Sequence, residues 1–292
     1  MTGTIYSKSE PNTIINVSSS RDRKKILLGL VVLLFVLARL WRLTSSCLWF
    51  DEIFSVHVAE HSWATLTHFV AADLVHPPLF YILLKFWIGV GGESLPWLRS
   101  FPAITSVAAV GPVVLLGREL NLTRTETTLA LLLLGVNGYL IKYAQEVRMY
   151  SLLFFLSTCS LWLFVSAVRR ESGEAKRRLV WLTAVNLLMI YTHYYGWLMV
   201  ALQLVTVLLL YRRRVKPFII SFAILVASYI PWLVQIARAY EAARFGQNIG
   251  WIPRPGVAAL IEYVTLLNQP FVFPESSADN RAIFFRPRLS AA

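Results

Sequence analysis

The chain has 292 residues, of which 57% are hydrophobic and only 15% charged, with a formal net charge of +12. Ordinary soluble domains carry about 25% charged residues, so the composition excludes a soluble enzyme and points to an all-α, polytopic membrane protein. The basic excess does not mark a nucleic-acid binder, because most Lys and Arg sit in short loops beside apolar spans, where they orient the chain and face anionic lipid.

Residues 1–20 are polar and rich in Ser and Asn, and are expected to lack fixed structure within a cytoplasmic tail of residues 1–25. Seven apolar spans follow, at about 26–43, 100–117, 127–143, 149–168, 179–194, 196–211 and 217–237. Each is near the ~20 residues that cross a hydrocarbon core. The first is preceded by cations but followed by no small-x-small cleavage site, so it reads as a retained helix rather than a leader. Arg39 and Arg42 near its end are expected to snorkel to the headgroups.

Basic runs recur after every second span: Arg21 to Lys25, Arg118 with Arg124, Arg169 to Arg178, and Arg212 to Lys216. Cytoplasmic loops carry such runs. The intervening loops therefore face outward, on the extracytoplasmic side of the cell membrane.

The stretch Pro77–Val90 is apolar but only 14 residues long and contains Lys85. Counting it as a crossing would turn the Arg169 to Arg178 loop outward, against the charge rule, so it reads as interfacial or re-entrant. Residues 44–98 then form one long outer loop. In it Ser62 is a plausible N-cap for a helix with Trp63, Leu66, Phe69 and Val70 on its apolar face, and Pro77-Pro78 suits the start of another. Gly196 allows a sharp turn between the fifth and sixth spans. Residues 238–292 are assigned outside and are expected to be an incomplete C-terminal region. Cys47 and Cys159 lie at different depths and form no framework.

Three polar groups fall on the outward side. Asp51 and Glu52 follow the first span among aromatic residues. A carboxylate there can act as a general base. The plainer reading is a helix-starting acid pair bound to water or an Arg. Glu146 and Arg148, with Lys142 and Gln145, sit on a very short loop; Arg148 can bind a phosphate through two parallel hydrogen bonds, or serve as an intraloop ion pair. All five histidines, His57, His61, His68, His76 and His193, are outward. His57-Val-Ala-Glu-His61 matches the inverted zinc-peptidase pattern, but no second motif supports a peptidase. A structural or regulatory metal at His57 and His61 stays open, since i and i+4 share a helix face.

The segments Phe50-Asp51-Glu52, His76-Pro77-Pro78-Leu-Phe-Tyr81 with Trp87, Leu98-Arg99-Ser-Phe-Pro102, Tyr143-Ala-Gln-Glu-Val-Arg-Met-Tyr150 and Thr192-His-Tyr-Tyr-Gly196 together resemble the GT-C membrane glycosyltransferases. The nearest group is the protein O-mannosyltransferase-like family with its bacterial relatives, which include the lipid A aminoarabinose transferases. The resemblance covers about residues 26–237. It implies a GT-C-like helical domain that passes a sugar from a polyprenyl-phosphate donor to a lipid, glycan or protein acceptor outside the cell, by inverting displacement. It further implies catalytic roles for Asp51 and Glu52, and substrate contacts from His76, Lys85, Glu146, Arg148 and His193. No cofactor is required by it, though a divalent metal is compatible. Members are usually longer than this chain. The rival readings are a transporter or flippase of a lipid-linked saccharide, and a non-catalytic assembly subunit. Transporters place ionisable groups at mid-membrane and show paired repeats; here charges gather at the span ends and no repeat is evident.

Overall fold

The computed structural model describes residues 14–241 and 256–257. The notional outer region after residue 241 otherwise lies outside the described residues. Twelve α-helices make up the described chain: α1 (Ile14–Leu40), α2 (Phe50–Glu60), α3 (Trp63–Asp73), α4 (Leu79–Gly91), α5 (Leu95–Ala108), α6 (Val110–Glu119), α7 (Arg124–Gly135), α8 (Gly138–Ala144), α9 (Tyr150–Arg169), α10 (Ser172–Thr192), α11 (Gly196–Leu210) and α12 (Val215–Glu241). A 3₁₀ turn, Arg212–Arg214, joins the last two. No strand occurs among the described residues, so the architecture is all-α.

Every expected span is helical. Among the described residues, three helices are long and apolar enough to cross a membrane, Leu95–Glu119, Tyr150–Arg169 and Arg212–Tyr240, and α7 with α8 adds a fourth if their 64° bend is one crossing. α1 and α10 fall short because cations sit inside their ends (Lys24, Lys25 and Arg39; Lys176, Arg177 and Arg178). α11 falls short by length, at 15 residues.

Two expectations are corrected at the N-terminal end. Residues 14–20 are helical rather than unstructured, because extending a formed helix costs far less than starting one. Arg39 does not snorkel. It is completely buried. Its Nη1 donates to Gly135 O at 2.7 Å and Phe35 O at 3.3 Å, its Nη2 to Leu134 O at 3.0 Å, and its Nε to Ser106 Oγ at 3.3 Å. α7 ends at Gly135, where the chain bends into α8, and the last carbonyls of a helix lack intrahelical partners. A guanidinium supplies both the donors and a charge that suits the negative helix end.

Proline sets the other irregularities. Pro112 lacks the N–H that would bond Ala108, and the α5–α6 break falls there, at Ala109. In α12, Pro231 disturbs the ladder, and Tyr191 Oη donates to the nearby Ser228 carbonyl at 2.7 Å.

α9 is central: it packs on α5, α6, α8, α10 and α11. The basic loops meet at one end of the bundle. There Arg170 pairs with Glu119 at 3.0 Å, Arg169 reaches the Glu119 carbonyl, and Arg214 donates to Ala167 O at 2.9 Å. At the opposite end of α9 the larger apolar cluster, including Leu66, Phe80, Tyr81, Leu84, Val147, Met149, Met189 and Tyr229, ties α2, α3 and α4 onto α9, α10 and α12. The segment from α2 to α4 is thus a packed helical layer. Ser62 caps α3, accepting from Thr65 N–H at 3.3 Å. Of the expected apolar face, Leu66 and Val70 are buried, Phe69 is partly so, and Trp63 stays exposed. Trp87 and Trp97 close the α4–α5 connection: their rings stack at 4.4 Å, and each indole N–H donates to the other's carbonyl, at 2.8 and 2.9 Å.

Candidate active site

The site grows from the first turn of α2. Glu52 at its third position reaches back to accept from Trp49 N–H at 3.1 Å, satisfying one of the orphan donors of a helix start. The same oxygen, Oε2, accepts from Arg99 Nη2 at 3.3 Å, and Oε1 accepts from Val147 N–H at 2.8 Å. Arg99 in turn holds the chain before α2 through Leu43 O at 2.8 Å and Cys47 O at 3.0 Å. Glu52 is only 1% exposed. With both oxygens occupied, it joins α2, α5 and the loop between α8 and α9.

Asp51, one residue earlier on the helix, faces differently. Its side chain is 37% exposed, and its Oδ2 lies 3.6 Å from Arg148 Nη2. Arg148 is buried, with Nη1 donating to Asp51 O at 3.1 Å and Ser55 Oγ at 3.0 Å. Its Nε has no partner. The backbone of 146–148, clamped by Glu52, delivers this guanidinium beside the Asp51 carboxylate.

His76, just before α4, and His193, just after α10, complete the group. Their rings are 5.1 Å apart, and Tyr150 lies 6.0 Å from His193. His193 Nδ1 accepts from Tyr195 N–H at 3.1 Å, which leaves any ring proton on Nε2. Burial, then the Arg148 charge and His193, hold His76 down to about 2; burial, then Arg148, hold His193 down to about 4. Both rings are therefore neutral near pH 7. The buried His76 Nδ1 and Tyr81 Oη have no hydrogen-bond partner. Burial chiefly raises Tyr81, and Arg148 works against that. Tyr194 fixes the His193 turn by donating to Leu74 O at 2.7 Å.

Glu146 is close by. Lys142 Nζ is 3.5 Å from its Oε1. Burial pushes its pKa up to about 7, with Lys142 opposing and Glu52 reinforcing the rise.

The structure therefore brings Asp51, Glu52, His76, Glu146, Arg148 and His193 to one end of the bundle. It does not bring Lys85 there. That ammonium donates to Ala59 O at 3.3 Å and to His61 O, and lies over the Trp63 ring at 5.3 Å. It closes the far end of α2, on the order of 13 Å along the axis from Asp51. There it caps the helix, because the carbonyls ending a helix attract a cation. Sequence reading also passed over Tyr81, Arg99 and Ser55. Tyr81 and Arg99 lay within quoted motifs; only their burial singles them out.

No family model matches the chain, and no curated protein matches it. Among solved structures it is similar to the Saccharomyces cerevisiae protein O-mannosyltransferase Pmt1-Pmt2 complex bound to the sugar donor, at 14% identity and a TM-score of 0.49, over 81% of this chain and 35% of that one. The chain thus spans about a third of the length of that structure's chain.

Proposed function

We propose that this protein is a membrane glycosyltransferase of the GT-C type, moving a sugar from a polyprenyl-phosphate donor to an acceptor on the extracytoplasmic face. The observation that carries this reading is the Asp51–Arg148 pair: a half-exposed carboxylate held beside a buried guanidinium with an unused N–H, at the end of the bundle away from the basic loops. Displacement at the anomeric carbon needs a base for the incoming hydroxyl or amine and charge stabilisation for the departing phosphate, and a carboxylate and a guanidinium at one site supply the two.

In this reading Asp51 accepts the proton of the acceptor hydroxyl or amine as that group's oxygen or nitrogen bonds to the anomeric carbon. The bond from that carbon to the phosphate oxygen breaks, and the electron pair leaves on the phosphate. Arg148 holds the phosphate, because a guanidinium fork matches phosphate oxygens. Neutral His76 and His193, with Tyr81, offer hydrogen bonds to the sugar or the phosphate without adding charge. Glu52 is a positioning residue: it fixes both Asp51 and the Arg148 backbone, and its occupied oxygens suit it poorly to proton transfer. A lipid-linked donor also explains a site at the edge of the apolar bundle, since its anomeric carbon cannot leave the headgroup region.

The test is transfer by the purified full chain in liposomes supplied with a panel of radiolabelled polyprenyl-phosphate sugars and membrane acceptors. Transfer that is lost in Asp51→Asn supports the reading. Wild-type transfer in that variant removes the base assignment. Donor movement across the bilayer without transfer identifies a flippase instead, and donor binding with neither an assembly subunit.

A further inference from the structure

The far end of α2 carries a second cluster that the transfer reading does not use. His57, Glu60 and His61 offer one ligand atom each, and these atoms all lie within 4.8 Å of one another. The i, i+3 spacing puts His57 and Glu60 on one face of α2, and His61 follows directly as its C-cap. His57 Nδ1 is 3.2 Å from Glu60 Oε1, with the two side chains 49% and 35% exposed. Donor atoms of a tetrahedral zinc, bonded at ~2.0–2.1 Å, sit roughly 3.3 Å apart, so small side-chain rotations close the cluster on an ion.

Two further observations point to a ligand. His61 Nδ1 is 2.6 Å from the His57 carbonyl. A ring N–H donating there leaves the Nε2 lone pair outward, the arrangement by which backbone carbonyls orient metal-binding imidazoles. Phe69 on α3 packs against both rings, at 5.6 Å from each, and walls one side of the cluster. Lys85 already takes the carbonyls of Ala59 and His61. The helix-end backbone is thus satisfied, and the two imidazoles and the carboxylate remain to bind an ion. The sequence match to a zinc-peptidase pattern and this geometry coincide at His57, Glu60 and His61.

We infer that His57, Glu60 and His61 form a surface site for a borderline transition-metal ion such as Zn²⁺, with water completing the coordination. Its ligands favour zinc over magnesium or calcium, which prefer all-oxygen sites. All three ligands belong to the last turn and C-cap of α2, which carries Asp51 at its other end, so the ion would stiffen that helix end. The inference stands apart from the transferase reading, since binding is measured without any sugar donor.

The experiment titrates Zn²⁺ into EDTA-stripped full chain in detergent by calorimetry, and records visible absorption with Co²⁺ as a spectroscopic stand-in. One ion per chain is expected, with a rise in melting temperature. His57→Ala and His61→Ala should each weaken binding by about tenfold or more, Glu60→Gln by less, and His68→Ala not at all. Absence of saturable binding overturns the inference. So does binding that survives His57→Ala and His61→Ala but disappears in His76→Ala, which would place the ion at the His76–His193 pair.

Discussion

Asp51 and Glu52 are neighbours in sequence and opposites in circumstance. A turn of about 100° on the helix leaves one carboxylate half in solvent beside Arg148 and buries the other among three donors. Asp51→Asn is expected to cut transfer by roughly 10²- to 10⁴-fold, the usual worth of a general base, with melting temperature nearly unchanged. Glu52→Gln should do the reverse in character: it breaks a buried ion pair, costing about 3–5 kcal/mol, and thermal unfolding in detergent should show it. Arg148→Lys keeps the charge but loses the fork, so donor KM should rise while Asp51-dependent chemistry persists. Glu146 and the two histidines pull pH stability in opposite directions. Glu146 keeps its proton in the folded state up to about 7, so its contribution is full below the unfolded value of 4.5 and is lost as pH rises through 7. His193, held down to about 4, does the opposite: stability rises with pH between about 4 and 6.5 as the unfolded chain gives up its proton. Glu146→Gln should therefore steepen the increase in melting temperature between pH 4.5 and 6.5; an unaltered profile would contradict the burial of that carboxyl.

At the scale of elements, polar side chains hold the helices where lipid offers no help. Ser160, Asn186 and Gln203 close a buried triangle joining α9, α10 and α11: Ser160 Oγ donates to Asn186 Oδ1 at 2.6 Å, Asn186 Nδ2 to Gln203 Oε1 at 2.9 Å, and Gln203 Nε2 to Ser160 Oγ at 2.6 Å. Hydrogen bonds between membrane helices average about 0.6 kcal/mol and reach about 1.7. Asn186→Leu removes two of them and strands Gln203, so a loss of about 1–3 kcal/mol is expected in denaturation from mixed micelles. The turn into α11 depends on contact rather than on unusual dihedrals. A Cβ on Gly196 would fall 2.8 Å from Met189 O and 2.9 Å from its carbonyl carbon. Gly196→Ala must push the two helices apart and shift the His193 turn between them, and donor affinity should fall with stability. Arg39 shows why an element's sequence can mislead: the same residue near a span end snorkels when lipid surrounds it and caps when a broken helix lies beside it.

For the whole molecule, the alternation of basic runs and apolar spans was legible in the chain, because each span answers to bilayer thickness and each run to local charge, both local properties. The proposed orientation predicts that a membrane-impermeant thiol reagent added to intact cells labels exposed Cys47, and that a cysteine introduced as Arg213→Cys in Cys47→Ser reacts only after permeabilisation; the converse pattern would invert the protein. The Ser62 cap and the proline-led start of α4 were also readable, since each rests on neighbouring residues. The buried roles were not. How Glu52, Lys85 and Arg39 are held depends on which carbonyls and N–H groups arrive from segments about 25 to 100 residues away. By itself the sequence determined the helical class and the apolar character of the membrane helices, through hydrophobicity and charge. Only the tertiary structure decided which ionisable groups are spent on holding the helices together and which remain open to a ligand, because desolvation and hydrogen-bond satisfaction are properties of the packed molecule.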